Sequence, residues 1–364
     1  MTEFELIRQI FQQRAAYQVH RSPYVTQGIG DDCASLALAG LLHTQQAGQV
    51  GQSVAQELIV STDMLVSGRH FVPDVAPRTL GHKALAVNLS DIAAMGGTPL
   101  GFTLSLALPP HHAGDAAWLH EFAAGLFALS EQFACPLIGG DTTRAAGDAL
   151  TLNITILGQV NPHTALRRNG AQLGDDIWLS GTIGGAALGL QCVLNHADVG
   201  ADIRGLLTEA EAKIVRDLLE QPQPRIALGQ ALNGIAHSAL DVSDGLAGDL
   251  PHIVQASQCA AVIQVEQLPL HPMLQKLRTQ LPDALFQQMA YGGGDDYELL
   301  FTAPPQSRDA LKQISQSLQV PLTRCGTIVP RRVLSSSNDQ SDWIEWRQHQ
   351  ARIEIQAHGF QHFE

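Results

Sequence analysis

The sequence predicts an α/β or α+β protein in two halves, and three observations predict it. Short apolar or alternating runs of strand length take turns with longer runs at helical spacing. Hydrophobic residues make up 45% of the chain and charged residues 16%, which supplies a sizeable core and excludes a disordered or low-complexity chain. A length of 364 residues is that of about two ordinary domains.

The elements follow in order. Phe4, Leu6, Ile7, Ile10 and Phe11 sit at helical spacing and predict a first helix, ending before the turn at Gln27-Gly28. The stretch Leu38 to Gln56, rich in Gln, Gly and His, reads as a flexible surface insertion between two strands, the second of them at Glu57 to Asp63. Pro77 to Met95 has a helix-start proline and a long apolar run, ended by Gly96-Gly97. Phe102 to Leu108 alternates as a strand, Asp115 to Phe133 reads as a helix, and Pro136 to Gly140 as a short buried strand. Ala149 to Val160 alternates again through Leu150, Leu152, Ile154 and Ile156.

Pro162, Arg167-Arg168, Asn169 and Gly170 interrupt the pattern over about residues 161–172, dividing the chain into 1–165 and 166–364. The second series has a strand at Ile177 to Ser180 and a helix opened by Gly184-Gly185. Helical stretches flank Pro222 and Pro224, a strand ends at Ala239 to Val242, and a helix lies beyond Gly245. Strands at Ala261 to Val265 and Tyr297 to Thr302 complete the expected set, with Trp343 and Trp346 assigned to tail packing.

Composition excludes several functions. With 22 Lys+Arg against 35 Asp+Glu the formal charge is −13, the wrong sign for a general binder of nucleic acid or anionic membrane. The five cysteines are far apart with no CxxC pair, against a disulfide framework or structural zinc. The N-terminus lacks the apolar segment of a signal peptide, and the longest uncharged stretch, Ile92 to Gly114, is broken by glycine pairs and prolines. These features point to a cytoplasmic protein.

The informative pattern is where the aspartates stand. They follow buried strands or open helices beside glycine or a small hydroxyl residue: Gly28-Ile-Gly-Asp31-Asp32, Ser61-Thr62-Asp63, Ser90-Asp91, Gly139-Gly140-Asp141, Asp241-Val-Ser243-Asp244-Gly245 and Gly293-Gly294-Asp295-Asp296. Each alone reads as a helix cap or turn residue. Six such sites in one chain would repel one another without a cation among them. Only four lysines occur (Lys83, Lys213, Lys276 and Lys312), whereas hard divalent ions suit carboxylate and hydroxyl oxygens. Magnesium usually shares its shell with substrate phosphates, and neighbouring glycines let backbone approach a polyphosphate closely.

Known phosphate-binding schemes are absent. The dipeptide Gly-Lys does not occur, so there is no P-loop, and no GxGxxG follows a strand. The HRD and DFG segments of protein kinases, the GxSxG elbow and the HExxH zinc motif are missing too.

GIGDDCA (Gly28 to Ala34), STDMLVSGRHF (Ser61 to Phe71), KALAVNLSDIAAMGG (Lys83 to Gly97), GGDTTR (Gly139 to Arg144), DVSDGL (Asp241 to Leu246) and GGDDYELLFT (Gly293 to Thr302) resemble the thiamine-monophosphate kinase family, in order and over nearly the whole chain. The resemblance implies transfer of the γ-phosphoryl group of ATP to thiamine monophosphate, the last step of thiamine diphosphate biosynthesis. It also implies the superfamily fold shared with aminoimidazole-ribonucleotide and selenophosphate synthetases: a homodimer with N-terminal sheets forming a barrel at the interface, and a C-terminal α/β sandwich. By motif matching it places several Mg²⁺ ions on Asp32, Ser61, Thr62, Asp63, Asp91, Asp141, Asp241 and Asp244. It places ATP on Gly140, Asp141, Arg168 and Ser243, and thiamine monophosphate on His70, Asp295 and Phe360. No single side chain is implied as a dedicated acid or base; Asp63 and Asp141 are the most critical positions. The family usually has Gly-Gly-Glu-Asp-Tyr where this chain has Gly293-Gly294-Asp295-Asp296-Tyr297, one methylene shorter.

The chemistry agrees. A phosphate monoester has its second pKa near 6, so the acceptor is already largely ionised at neutral pH, and catalysis reduces to positioning and charge neutralisation. An alternative is an ATP-dependent amide- or selenium-activating synthetase of the same superfamily. The selenophosphate branch expects a Cys or selenocysteine next to a Lys near the N-terminus, and neither residue occurs before Gly28. A catalytically silent nucleotide-binding dimer would have lost several carboxylates, and every matched position holds Asp.

Overall fold

The computed structural model describes residues 25–28, 30–37, 56–194, 203–331 and 343–360. The expected N-terminal helix and the 38–56 insertion lie almost wholly outside the described residues. Two mixed sheets carry the molecule. The first has six strands in the order β1-β2-β3-β6-β4-β5, namely β1 (Val25–Gln27), β2 (Ala34–Ala37), β3 (Glu57–Val66), β4 (Thr98–Leu108), β5 (Leu137–Arg144) and β6 (Thr151–Val160). All its pairings are antiparallel except β4 with β5.

One face of this sheet packs on helix α1 (Pro77–Ala94). Pro77 stands in the first turn, where its missing N–H costs nothing. The helix is buried on nearly every side because α2 (Ala116–Gln132) lies against it. Their crossing is close enough that a methyl group on Gly81 would meet the Phe122 carbonyl oxygen at 2.0 Å, and one on Gly125 that of Arg78 at 1.8 Å. Such approach needs glycine.

Among the described residues the other face of the sheet has no helix. It presents Thr62, Met64 and Thr155, and Met64 and Ile138 are each 57% exposed. β5 is the far edge strand and is exposed along almost its whole length, which corrects the expectation of a short buried strand: its outer flank has no partner among the described residues. The barrel expected between two copies is not closed by one chain, in which the described strands form an open sheet.

The second sheet has seven strands in the order β13-β12-β9-β11-β7-β10-β8: β7 (Asp176–Ser180), β8 (Ser238–Asp241), β9 (Ala260–Gln264), β10 (Leu299–Ala303), β11 (Leu322–Val329), β12 (Ile344–Gln348) and β13 (Ala351–Ile353). Only β12 and β9 pair in parallel. Side chains alternate between two cores, with Trp178 and Phe301 on one side and Ile177, Leu179 and Leu300 on the other. Helices α3 (Gly185–Leu194), α4 (Glu209–Glu220), α6 (Leu246–Ala256) and α7 (Asp283–Tyr291) belong to the second core. Helices α5 (Ile226–Leu232) and α8 (Arg308–Leu318) belong to the first.

The first core is shared between the halves: Leu85, Leu89 and Ile92 of α1 belong to one cluster with Leu228, Leu232, Ala239 and Phe301. Sequence pattern missed β11 to β13, α7 and α8. Trp346 is a strand residue of β12, its ring tilted against that of Tyr291 at 5.6 Å between ring centres.

Candidate active site

Three elements bring carboxylates to one point. Strand β3 alternates, so Ser61 and Asp63 face α1 while Thr62 turns to the opposite side, where its hydroxyl meets Ile154 O and Thr155. Helix α1 contributes Ser90 and Asp91 in its last turn, and β8 ends at Asp241. Carboxylate oxygens of Asp32, Asp91 and Asp241 all lie within 4.8 Å of one another. The Ser61 hydroxyl donates to Asp91, and Ser90 Oγ donates to Asp241 Oδ2 at 2.6 Å. Arg168 donates from Nη2 to Asp32, and its backbone N–H reaches Asp31 at 3.3 Å. Beyond Gly245, Asp249 accepts from the Asp244 N–H at 3.0 Å.

Burial sets the electrostatics. It pushes Asp63 up to about 6, against a hydrogen bond from Asp91 that lowers it. It pushes Asp31 to about 7, helped by neighbouring Asp32, and Asp241 to about 7, again helped by Asp32. Asp91 is raised well above the ordinary carboxylate range by burial and then by Asp63 and Asp241, and Asp249 by burial and then Asp244. Like charges out of water are costly unless a cation joins them. Asp32 Oδ2 is buried with no hydrogen-bond partner among the described residues. An orphan carboxylate oxygen within an all-oxygen donor set fits a hard divalent ion such as magnesium.

The cluster opens into a cleft of about 1080 Å³ between the two halves, lined by Asp63, Asp91, Asp241 and Asp244 and also by His70, Asp295 and Phe360. The Val66 N–H donates to His70 Nδ1 at 3.0 Å, so the ring proton sits on Nε2. Asp295 is held by its backbone: φ is +67°, its N–H donates to Ser243 O at 2.9 Å, and Tyr297 beside it is also left-handed at +49°. Asp296 accepts from Gly184 N–H at 2.7 Å at the start of α3, and burial raises its carboxyl to about 8. Phe360 donates its N–H to Asp244 O at 3.2 Å and lies under the Arg69 guanidinium, 4.8 Å from the ring centre.

The structure therefore gathers Asp32, Ser61, Asp63, Asp91, Asp241 and Arg168, with Ser243 and Asp244 beside them. It places Gly140 and Asp141 elsewhere. Asp141 stands on edge strand β5, aligned across the sheet with Ser105, Asn153 and Met64, three strand spacings or about 14 Å from β3. Four residues of the site were not singled out from sequence. Asp31, Ser90 and Lys83 stood inside recognised motifs, and Asp249 carried no signal beyond that of a first-turn acid.

The model of the AIR synthase related protein N-terminal domain matches residues 30–160, and that of the AIR synthase related protein C-terminal domain matches residues 172–337. The chain is 41% identical over 324 residues to the thiamine-monophosphate kinase of Salmonella typhimurium, covering 89% of each. It resembles the crystal structure of the thiamine-monophosphate kinase of Stenotrophomonas maltophilia K279a at 40% identity and a TM-score of 0.69, covering 90% of this chain and 94% of that one. It also resembles AaThiL complexed with AMPPCP and TMP at 25% identity and a TM-score of 0.74, covering 100% and 97%.

Proposed function

This chain belongs to the thiamine-monophosphate kinases of the AIR-synthase-related family, and from that premise we propose that its cleft transfers the γ-phosphoryl group of ATP to thiamine monophosphate, giving thiamine diphosphate and ADP. The observation that carries the reading is the carboxylate cluster of Asp32, Asp91 and Asp241 beside a cleft of about 1080 Å³.

Asp32, Asp63, Asp91 and Asp241, with Ser61 and Asp244, would hold magnesium, which when bound supplies charge neutralisation between two anionic reactants. The chain's own residues do the rest. Ser61 and Ser90 fix the rotamers of Asp91 and Asp241, and Arg168 holds Asp32 in place. Arg168 and Ser243 stand where ATP would lie. His70 Nε2–H, the Asp295 carboxylate and the Phe360 ring face the thiamine end, a carboxylate for the thiazolium cation and an aromatic face for a ring. No side chain is needed as a base, because the acceptor phosphate arrives ionised.

The active form in this reading is a cytoplasmic homodimer of two-domain chains, 1–165 and 166–364. Two flanks support it. Strand β2 pairs only with Glu57 to Val60 of β3, so Ser61 to Val66 have an open edge among the described residues, and the outer flank of β5 is open as well. A two-fold that lays β5 of one copy beside Ser61 to Val66 of the other closes an eight-stranded barrel. It also carries the partner's Gly140 and Asp141 to Thr62 and Asp63, completing the metal and ATP positions from both chains.

The test is product identification with ATP, Mg²⁺ and thiamine monophosphate. Equal amounts of thiamine diphosphate and ADP, abolished by EDTA, are expected. ADP without thiamine diphosphate would reject the acceptor and favour an amide- or selenium-activating chemistry.

A further inference from the structure

Lysine is scarce in this chain, and one of the four is buried in the cleft. Lys83 has a side chain 4% exposed, and its Nζ lies 2.9 Å from Asp295 Oδ1. Among the described residues Asp295 is the only carboxylate paired with it. An ammonium carries three donors and a carboxylate four acceptor sites, so this pair uses a fraction of what each group offers. Asp295 stands on a left-handed backbone, and Lys83 is buried along α1. Lys83, Val87 and Asp91 share one face of α1 and all line the cleft. Eight residues of helix separate Lys83 from Asp91, about 12 Å along the axis. Two phosphates in line, with reacting atoms about 3–3.5 Å apart, fit that interval.

We propose that Lys83 is a specificity-determining residue whose ammonium receives the acceptor phosphate while Asp295, beside it, receives the substrate's ring cation. The inference rests on the kinase reading and adds a residue to it. Charges then alternate along the cleft: ring cation, Asp295, Lys83, acceptor phosphate, and the carboxylate cluster with whatever cation it holds. Only a ligand with both a cationic ring and a phosphate satisfies both ends of the pair. Thiamine brings the cation alone, and a simple phosphate ester the anion alone. Arg69, a second strong cation lining the cleft, stands over Phe360.

The test compares binding of thiamine monophosphate and of thiamine by calorimetry, with AMPPCP and Mg²⁺ present. The unaltered protein is expected to hold thiamine monophosphate at least tenfold more tightly than thiamine; equal affinities would overturn the proposal without any variant. Lys83→Met, close in volume and suited to a buried helix, is expected to lose at least tenfold in affinity for thiamine monophosphate while thiamine changes less than twofold. Lys83→Arg is expected to recover part of the loss, and Asp295→Asn to weaken both ligands. Equal loss of both ligands in Lys83→Met would make Lys83 a mere prop for Asp295 and overturn the proposal. So would transfer of the phosphate preference to Arg69→Met. A protein that makes no thiamine diphosphate would reject the kinase reading itself. One that makes it, with the preference intact in Lys83→Met, rejects only the role of Lys83.

Discussion

Asp241 shows what a single buried carboxylate contributes when its neighbours carry the same charge. Burial and Asp32 both oppose its ionisation, and Ser90 is the hydroxyl that steadies it. Without a cation the cluster works against folding; with one it becomes a binding site. Asp241→Asn keeps an acceptor for Ser90 while removing a charge. In EDTA it is expected to melt a few degrees higher than the parent, and in Mg²⁺ to lose most of the parent's upward shift. Thermal melts in both buffers check this, and a variant that melts lower in EDTA yet keeps the full Mg²⁺ shift overturns it. Asp63→Asn is expected to leave the melt near that of the parent and to reduce turnover at least a hundredfold. Parent-like rates would remove Asp63 from the machinery. These aspartates were legible in the sequence because each stands in a short motif with a small hydroxyl residue, Ser61-Thr62-Asp63 and Asp241-Val-Ser243, although β3 runs on past Asp63 to Val66. Lys83 was not, because a lysine in a helical run reads as solvent-facing until the neighbouring elements are known to cover it.

Elements hold the site through close contacts that sequence pattern conveys unevenly. Gly245 opens α6 at a φ of +89°, and a methyl group there would stand 2.6 Å from the Gly292 carbonyl carbon. Gly245→Ala therefore strains the loop that carries Asp244 and the one that carries Asp295, and is expected to cost about 1–3 kcal/mol in a denaturant melt. The glycine is visible in DVSDGL, but its reason lies in a second loop far along the chain. The missed strands have physical reasons as well: β11 shifts register between Arg324 and Gly326, which breaks its alternation, and β12 carries Glu345 and Arg347 at a partly exposed end of the sheet.

A second element contact yields a pH prediction. His82 of α1 bonds through Nε2 to Pro222 O at 2.8 Å, between α4 and α5. Burial lowers its pKa below the usual 6.5, with the Pro222 bond opposing in part. The unfolded chain then binds the proton more readily, so this residue's contribution is present above pH 6.5 and is lost as pH falls below it. The stability advantage of the parent over His82→Gln is expected to shrink between pH 7.5 and 5.5. An advantage that grows over that interval would reverse the sign of the argument.

The whole molecule explains the two positions that one chain leaves apart. The sequence made Asp63 and Asp141 equals, since both follow strand residues and both match the same set of motifs. It could not convey that β5 is an exposed edge strand three spacings away, because strand order is set by non-local pairing. If β5 of one copy closes onto β3 of the other, Asp63 and the partner's Asp141 serve one site. Asp63→Asn and Asp141→Asn homodimers are then each inactive, while a mixed dimer has one site with both substitutions and one with neither. Unfolding and refolding the two variants together at equal concentration is expected to recover about a quarter of parental activity, because half the dimers are mixed and half their sites intact. Recovery should track the mixed species separated by differently charged tags. Mixed dimers that form but stay inactive would show that the two aspartates act within one chain, and the barrel arrangement would have to be abandoned.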